Sequence, residues 1–262
     1  MKGRGSLIAL SGVDCAGKST QRALLLEALR ARGLAPAAVW SRAGYTPNLN
    51  AAKRVVHALL APFAPLGRRA ARRVVGEPGR YPRRASNLRQ PLRFLWLTGA
   101  LLDLLWVYGV RVRVWRARGR VVVCDRHLLD CLVDLRVNFP EEGLERRWLF
   151  RVLRRSAARP DAAFCLIVPA ELSFERSRAK GRRHRETREV LERRVAEYER
   201  VAAELGVPVL DGRRPEAELA RAIQQGLGPG LAASHTAEVP ELRGVAERAE
   251  PGRPASEPTT RG

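Results

Sequence analysis

The octapeptide Gly12–Val13–Asp14–Cys15–Ala16–Gly17–Lys18–Ser19 fits the pattern G-x-x-x-x-G-K-[ST] without a mismatch. Its chemistry follows from the residue types. The glycines let backbone N–H groups turn inward around phosphate oxygens, and a helix beginning at the lysine adds the positive end of its dipole. Lys18 is then placed to reach the β- and γ-phosphates of ATP, and the Ser19 hydroxyl to ligate Mg²⁺. An apolar run precedes the octapeptide and an amphipathic run follows it. That strand–loop–helix context separates the pattern from a chance match on a tight turn. Gly12 to Ser19, with Thr20 next in the chain, form the expected nucleotide-binding set.

Two further groups carry charge suited to the same chemistry. Asp125–Arg126 directly follows the apolar run Val121–Cys124. If that run is a strand of an open parallel sheet, both residues face the crevice beyond the strand ends. Asp125 is placed to hold Mg²⁺ through water, and Arg126 to hold a transferring phosphoryl group; the competing reading is a surface ion pair. The third group is Arg176, Arg178, Lys180, Arg182, Arg183, His184 and Arg185. Phosphoryl transfer needs charge delivered to oxygens and water kept out, which an arginine-rich flap supplies. By itself the run reads more readily as a solvated face; its place after the other two groups reverses that in favour of the flap.

The elements that must position these residues are legible in the apolar pattern. Leu7–Leu10, Ala37–Trp40, Val121–Cys124, Phe164–Val168 and Val207–Leu210 are short continuous apolar runs that predict buried strands. Leu24, Leu25, Ala28 and Leu29 share a helical face that Gly33 ends. Val190, Leu191, Arg194, Val195, Tyr198, Ala202 and Leu205 make a longer amphipathic stripe, and Leu219, Ile223 and Leu227 a last one. Continuous strands alternating with helices predict an α/β domain with a five-stranded parallel sheet and helices on both faces, over residues 1–227. Residues 62–91 carry eight arginines against one glutamate and read as a basic insertion. Residues 228–262 have few large apolar side chains and read as a disordered tail.

The formal charge of +21 invites a nucleic-acid partner, but only four of the 48 basic residues are lysines. Arginine bias throughout the chain, combined with a phosphate-binding enzyme, is the preferred explanation, and nucleic acid is not the expected partner. Cys15, Cys124, Cys131 and Cys165 show no metal-binding spacing. Free thiols and a reducing, cytoplasmic location are expected. No secretory signal precedes Leu7. The stretch Phe94–Val110, interrupted by Asp103 and two glycines, is too short for a membrane span and predicts a buried helix.

The run LIALSGVDCAGKSTQRALLLEAL resembles the opening of thymidylate kinases, within the family of P-loop nucleoside monophosphate kinases. Arg42–Ala43–Gly44–Tyr45–Thr46–Pro47 resembles the element after their second strand. Gly119 to His127 resembles their Asp-Arg-Tyr strand end. ERSRAKGRRHRE resembles their arginine-bearing lid, and Val209–Leu210–Asp211–Gly212 to Pro215 the loop that cups adenine. The resemblance covers Ser6 to Leu227 apart from most of the insertion. It implies a P-loop kinase fold with an arginine-rich lid, ATP and Mg²⁺ as cofactors, and a homodimer joined through the apolar helix around Leu95–Trp106. It further implies that Asp14 lies near the acceptor's sugar, that Arg42 holds the acceptor phosphate, and that Arg126 lies between the two phosphates. Arg176 and Arg185 would close over the donor. Cys15 stands where some members carry an arginine, so the lid would supply the catalytic one.

The sequence departs from the family at the acceptor. Counting back from Asp125 places Ala100 and Leu104 where the family has a stacking Phe and a base-reading Arg, with Asp103 kept; a gap near Gly109 would offer Phe94 or Trp96 instead. His127 replaces the family's Tyr, and Asp130, Cys131 and Asp134 follow. Asp130 and Asp134 are expected either to face solvent or to bind hydroxyls or an amine of a different acceptor. The expected reaction is ATP-dependent phosphorylation of a nucleoside monophosphate, with dTMP the best single acceptor but a weakly preferred one. The alternatives are a diverged kinase for another small acceptor, or a basic nucleotide-binding protein that contacts nucleic acid.

Overall fold

The computed structural model describes residues 5–41, 90–140, 143–181 and 186–227. Arg42, Arg185, nearly all of the basic insertion and the tail from Gly228 lie outside the described residues, as does the Trp96 side chain.

Five strands form one parallel sheet in the order β2-β3-β1-β4-β5, with β1 Leu7–Gly12, β2 Pro36–Trp40, β3 Val121–Asp125, β4 Ala162–Ile167 and β5 Val209–Asp211. Every residue of β1 and β3 is buried. Both faces of the central strands are therefore covered, which is why they read as unbroken apolar runs. The edge strand β2 instead alternates, burying Ala37 and Val39 and exposing Trp40. Helix α1 (Lys18–Ala31) packs on β1, β2 and β3 and beside α8 (Glu216–Gln225). Helix α4 (Leu128–Asn138) packs against β1 and along α7 (Arg188–Leu205), which in turn covers β4.

The apolar stretch before β3 is one continuous helical rod. Helix α2 (Gln90–Leu104) passes into a π-helical segment at Leu105–Arg111 and then α3 (Val112–Ala117). Leu97, Ala100, Leu101, Leu104, Tyr108 and Val112 are buried, while Phe94, Leu102, Trp106, Val110 and Val114 are exposed. The rod is thus amphipathic rather than wholly buried. Among the described residues, no helix is long and apolar enough to cross a membrane. Helix α5 (Trp148–Ser156) packs along this rod, and α6 (Ala170–Ala179) follows β4 and packs on α7.

Beyond their carboxyl ends, β1 sends the chain toward β2 and β4 sends it toward β5. Diverging connections of this kind leave a crevice at the carboxyl edge. The loops after β1, β3 and β4, which carry most of the described candidate residues, all leave from that edge.

Candidate functional site

The loop from Gly12 to Ser19 links β1 to α1. Its first glycine is required by crowding: a Cβ there would lie 1.9 Å from the Leu166 carbonyl oxygen, at φ 134°. The second is required by backbone conformation, because Gly17 has φ 94° where it caps α1. Cys15 takes φ 61°, unusual for a residue with a side chain, and is half-buried. Lys18 is buried, and its Nζ donates to the carbonyls of Gly12 and Val13 at 2.7 Å each. Burial, and then the neighbouring Arg126 charge, push its pKa down. Ser19 is exposed in the first turn of α1, and Thr20 is half-buried beside it.

The strand end Asp125–Arg126–His127 lies next to this loop. Arg126 sits at φ 78° and its backbone N–H donates to Leu10 in β1, 2.9 Å away. Its guanidinium is buried, paired with Asp14 of the loop and with Asp130 at 3.5 Å, and it donates to the Tyr198 hydroxyl at 3.4 Å. Burial alone would favour the neutral form, but the Asp14, Tyr198 and Asp130 partners outweigh it and hold the group firmly charged. Asp125 is also buried, and its Oδ2 accepts from Arg22 of α1 at 2.9 Å. The strand-end pair is therefore internal, which removes the surface ion-pair reading.

Asp130 and Asp134 do not turn to solvent; both are at least 95% buried. Asp130 accepts from the Gly12 N–H at 3.3 Å, the His127 N–H at 3.0 Å and the Tyr198 hydroxyl at 2.9 Å. It thereby ties α4 and α7 to the start of the glycine loop. Asp134 pairs with Arg194 of α7 at 2.7 Å, and Arg194 also pairs with Glu186 at 2.7 Å. The two carboxylates are thus held by cations and hydroxyls of the chain itself, and Asp134 has no need of a ligand amine.

His127 caps α4. Its side chain accepts the Asp130 backbone N–H while the Asp130 carboxylate takes the His127 N–H. The imidazole lies 4.6 Å from the Tyr108 ring, and burial pushes its pKa down to about 4. Tyr108 donates to the Arg126 carbonyl at 3.2 Å and accepts from Ser41, just past β2, at 2.5 Å. Among the described residues, His127 Nε2 has no hydrogen-bond partner.

The arginine-rich run begins inside a helix. Arg176 and Arg178 belong to the last turn of α6. Arg176 Nη1 donates to the Cys15 carbonyl at 3.2 Å and the Gly212 carbonyl at 3.3 Å, and Ser173 Oγ donates to the Asp14 carbonyl at 2.7 Å. Helix α6 is docked on the glycine loop and ties it to the end of β5.

The structure thus brings Gly12 to Lys18, Asp125, Arg126 and Arg176 together. Asp103 is buried on α2, and Ala100 and Leu104 are buried in the core. The Phe94 ring is surface-exposed, with the Arg147 guanidinium 4.9 Å from its centroid. Sequence reasoning missed Arg22, Ser41, Tyr108 and Arg194 as partners. Each lies in an amphipathic or polar segment with no motif, and only the chain crossing identifies it. All four cysteines are free thiols, and among the described residues no group of three or more His, Cys, Asp or Glu side chains forms a metal cluster. No protein-family model matches the chain, and no curated protein sequence matches it.

Proposed function

We propose that the protein is an ATP-dependent phosphotransferase of thymidylate kinase-like P-loop architecture, acting on a phosphate-bearing acceptor. The observation that carries the reading is one cluster: Lys18, on a loop bent by two positive-φ glycines, within the same charged group as Arg126 and Asp14. Lys18 can leave two neutral carbonyls for the β/γ-phosphates, and Arg126 is already held by carboxylates where an acceptor phosphate would meet the donor. ATP would lie along the glycine loop. Mg²⁺, which neutralises phosphate charge in such reactions, would be held by Ser19 and, through water, by Asp125; the Arg22 pair already orients that carboxylate. Arg42 and Arg185 remain proposed contacts to the acceptor phosphate and the donor.

A nucleoside monophosphate is the proposed acceptor class and dTMP the first to test. Burial of Ala100 and Leu104 supports a weak preference among monophosphates, because neither offers a ring or a donor to a base. The homodimer and the cytoplasmic location stay part of this proposal. The test is ADP release with Mg·ATP against a panel of nucleoside monophosphates, nucleosides and small phosphorylated metabolites. Turnover with at least one monophosphate is expected, and Lys18→Ala is expected to abolish it while the circular dichroism spectrum is kept. Near-normal turnover in folded Lys18→Ala would refute the assignment.

A further inference from the structure

We propose that His127 is a specificity-determining residue of the acceptor pocket, its Nε2–H donating a hydrogen bond to an uncharged oxygen, keto or hydroxyl, of the acceptor. The inference rests on the phosphotransferase reading for the site's location and on three observations of its own. The first is the tautomer. Nδ1 is the side-chain atom that can accept the Asp130 N–H, so the ring's proton sits on Nε2, which is a donor on the opposite edge. The second is that this donor is buried without a partner among the described residues, in a side chain that is 5% exposed. A buried orphan donor costs about 1–3 kcal/mol and asks for an explanation by function. The third is position. His127 follows Arg126 at the end of β3, and its ring packs on Tyr108, which Ser41 at the end of β2 holds in place. The ring is fixed by the cap on one side and the tyrosine on the other, so the donor is pre-oriented.

The oxygen is uncharged because the charged partners are already assigned. The acceptor's phosphate is already provided for by Arg126 and Arg42 in the proposed reading, and the neighbouring carboxylate of Asp130 would repel a second anion. A neutral N–H matches a keto or hydroxyl oxygen and gives nothing to an exocyclic amine. Acceptors presenting an oxygen at that point are therefore favoured over those presenting an amine.

Two substitutions separate this role from capping. Asparagine reproduces the Nδ1 acceptor and lacks the distal donor; glutamine reproduces the distal donor and lacks the cap. His127→Asn should keep its melting temperature and its KM for ATP, and lose about 5- to 100-fold in kcat/KM for the acceptor. His127→Gln should retain most of the acceptor kcat/KM and melt lower. An imidazole ¹⁵N spectrum of the full chain, titrated with the monophosphate panel, adds a readout independent of turnover. A bound acceptor should shift the His127 Nε2 resonance. Binding without that shift, no binding by any monophosphate, or unchanged acceptor kinetics in folded His127→Asn would overturn the proposal. Acceptor turnover with an unmoved resonance refutes the His127 role and leaves the kinase reading standing. A moved resonance without ADP release does the reverse.

Discussion

Replacing Asp130 by asparagine tests the buried network at the point where most of it converges. The carboxylate receives three hydrogen bonds, from Gly12 N–H, His127 N–H and Tyr198 O–H, and faces Arg126 at 3.5 Å. Its two oxygens both accept. Asparagine is isosteric but has one oxygen and one NH₂. Either orientation sets a donor against a donor: against His127 N–H in one, against the Gly12 N–H and Tyr198 O–H in the other. An orphaned buried donor costs about 1–3 kcal/mol, and withdrawing one of Arg126's two carboxylates adds part of the roughly 3–5 kcal/mol typical of a broken buried pair. Asp14 still pairs with Arg126, so the sum should be nearer about 3 kcal/mol than the upper limit. For a domain of this size that is a fall in Tm of roughly 6–12 °C. Urea unfolding followed by far-UV circular dichroism measures it directly. Tyr198→Phe, which removes one hydroxyl and keeps every charge, should cost about 1 kcal/mol. A loss below about 1 kcal/mol for Asp130→Asn, or equal losses for the two variants, would show that Asp130 is solvated and that the network is not the fastening described.

His127 should make stability fall with acid. Its folded pKa of about 4 lies below the ordinary 6.5, so between those values the unfolded chain binds more protons. Its contribution is complete above pH 6.5 and is lost as pH falls toward 4, on the order of 3 kcal/mol at the lower end. Urea midpoints at pH 7, 5.5 and 4.5 should therefore drop more steeply for the wild type than for His127→Asn; parallel slopes would count against a buried neutral ring. Arg176 makes both its side-chain bonds to carbonyls, of Cys15 in the glycine loop and of Gly212. Arg176→Ala should accordingly raise the KM for ATP by about tenfold or more while kcat changes less. A large fall in kcat at constant KM would instead return Arg176 to the role of a transition-state group.

The sheet was legible because burial on both faces leaves a plain mark. Leu7–Leu10 and Val121–Cys124 are unbroken apolar runs, and β1 and β3 extend them by only two residues and one. Gly33 stops α1 as its spacing predicts, at φ 70°. The glycine loop was legible because its crowding at Leu166 and its positive φ values demand glycine at fixed places. The burial of the α4 carboxylates was not. Asp130 and Asp134 are four apart on a helix, a spacing that reads as a polar face. What buries them is Tyr198 and Arg194, at separations of 68 and 60 residues, and no local pattern announces a partner at that distance. The rod before β3 misled in another way. Its apolar content was read as burial, whereas Leu102, Trp106, Val110 and Val114 are exposed at steps of four. A π-helical segment, whose bonds run from i to i+5, widens the turn and keeps such steps aligned where an ordinary helix would let them drift.

The two cations at the centre of the cluster differ in how they are held, and the difference has a consequence for the proposed reaction. Lys18 is a flexible chain bonded to two neutral carbonyls. Moving it onto a phosphate exchanges neutral acceptors for charged ones, which is favourable as soon as an anion arrives. Its lowered pKa points the same way, because an anion nearby restores what burial removes. Arg126 is rigid by comparison. Its backbone is locked at φ 78°, its Nη2 is paired with Asp14, and its Nη1 faces Asp130 and Tyr198. It cannot leave without breaking its pair with Asp14 and stranding the buried Asp130, so an incoming phosphate would have to come to it and use the donor edge that remains. In the proposed reaction one cation would follow the donor while the other would mark a fixed point for the acceptor. Fixing only the acceptor side would let the seating of the acceptor set the distance from its attacking oxygen to the γ-phosphorus, and holding reacting atoms at such a distance is a large part of what positioning contributes to rate.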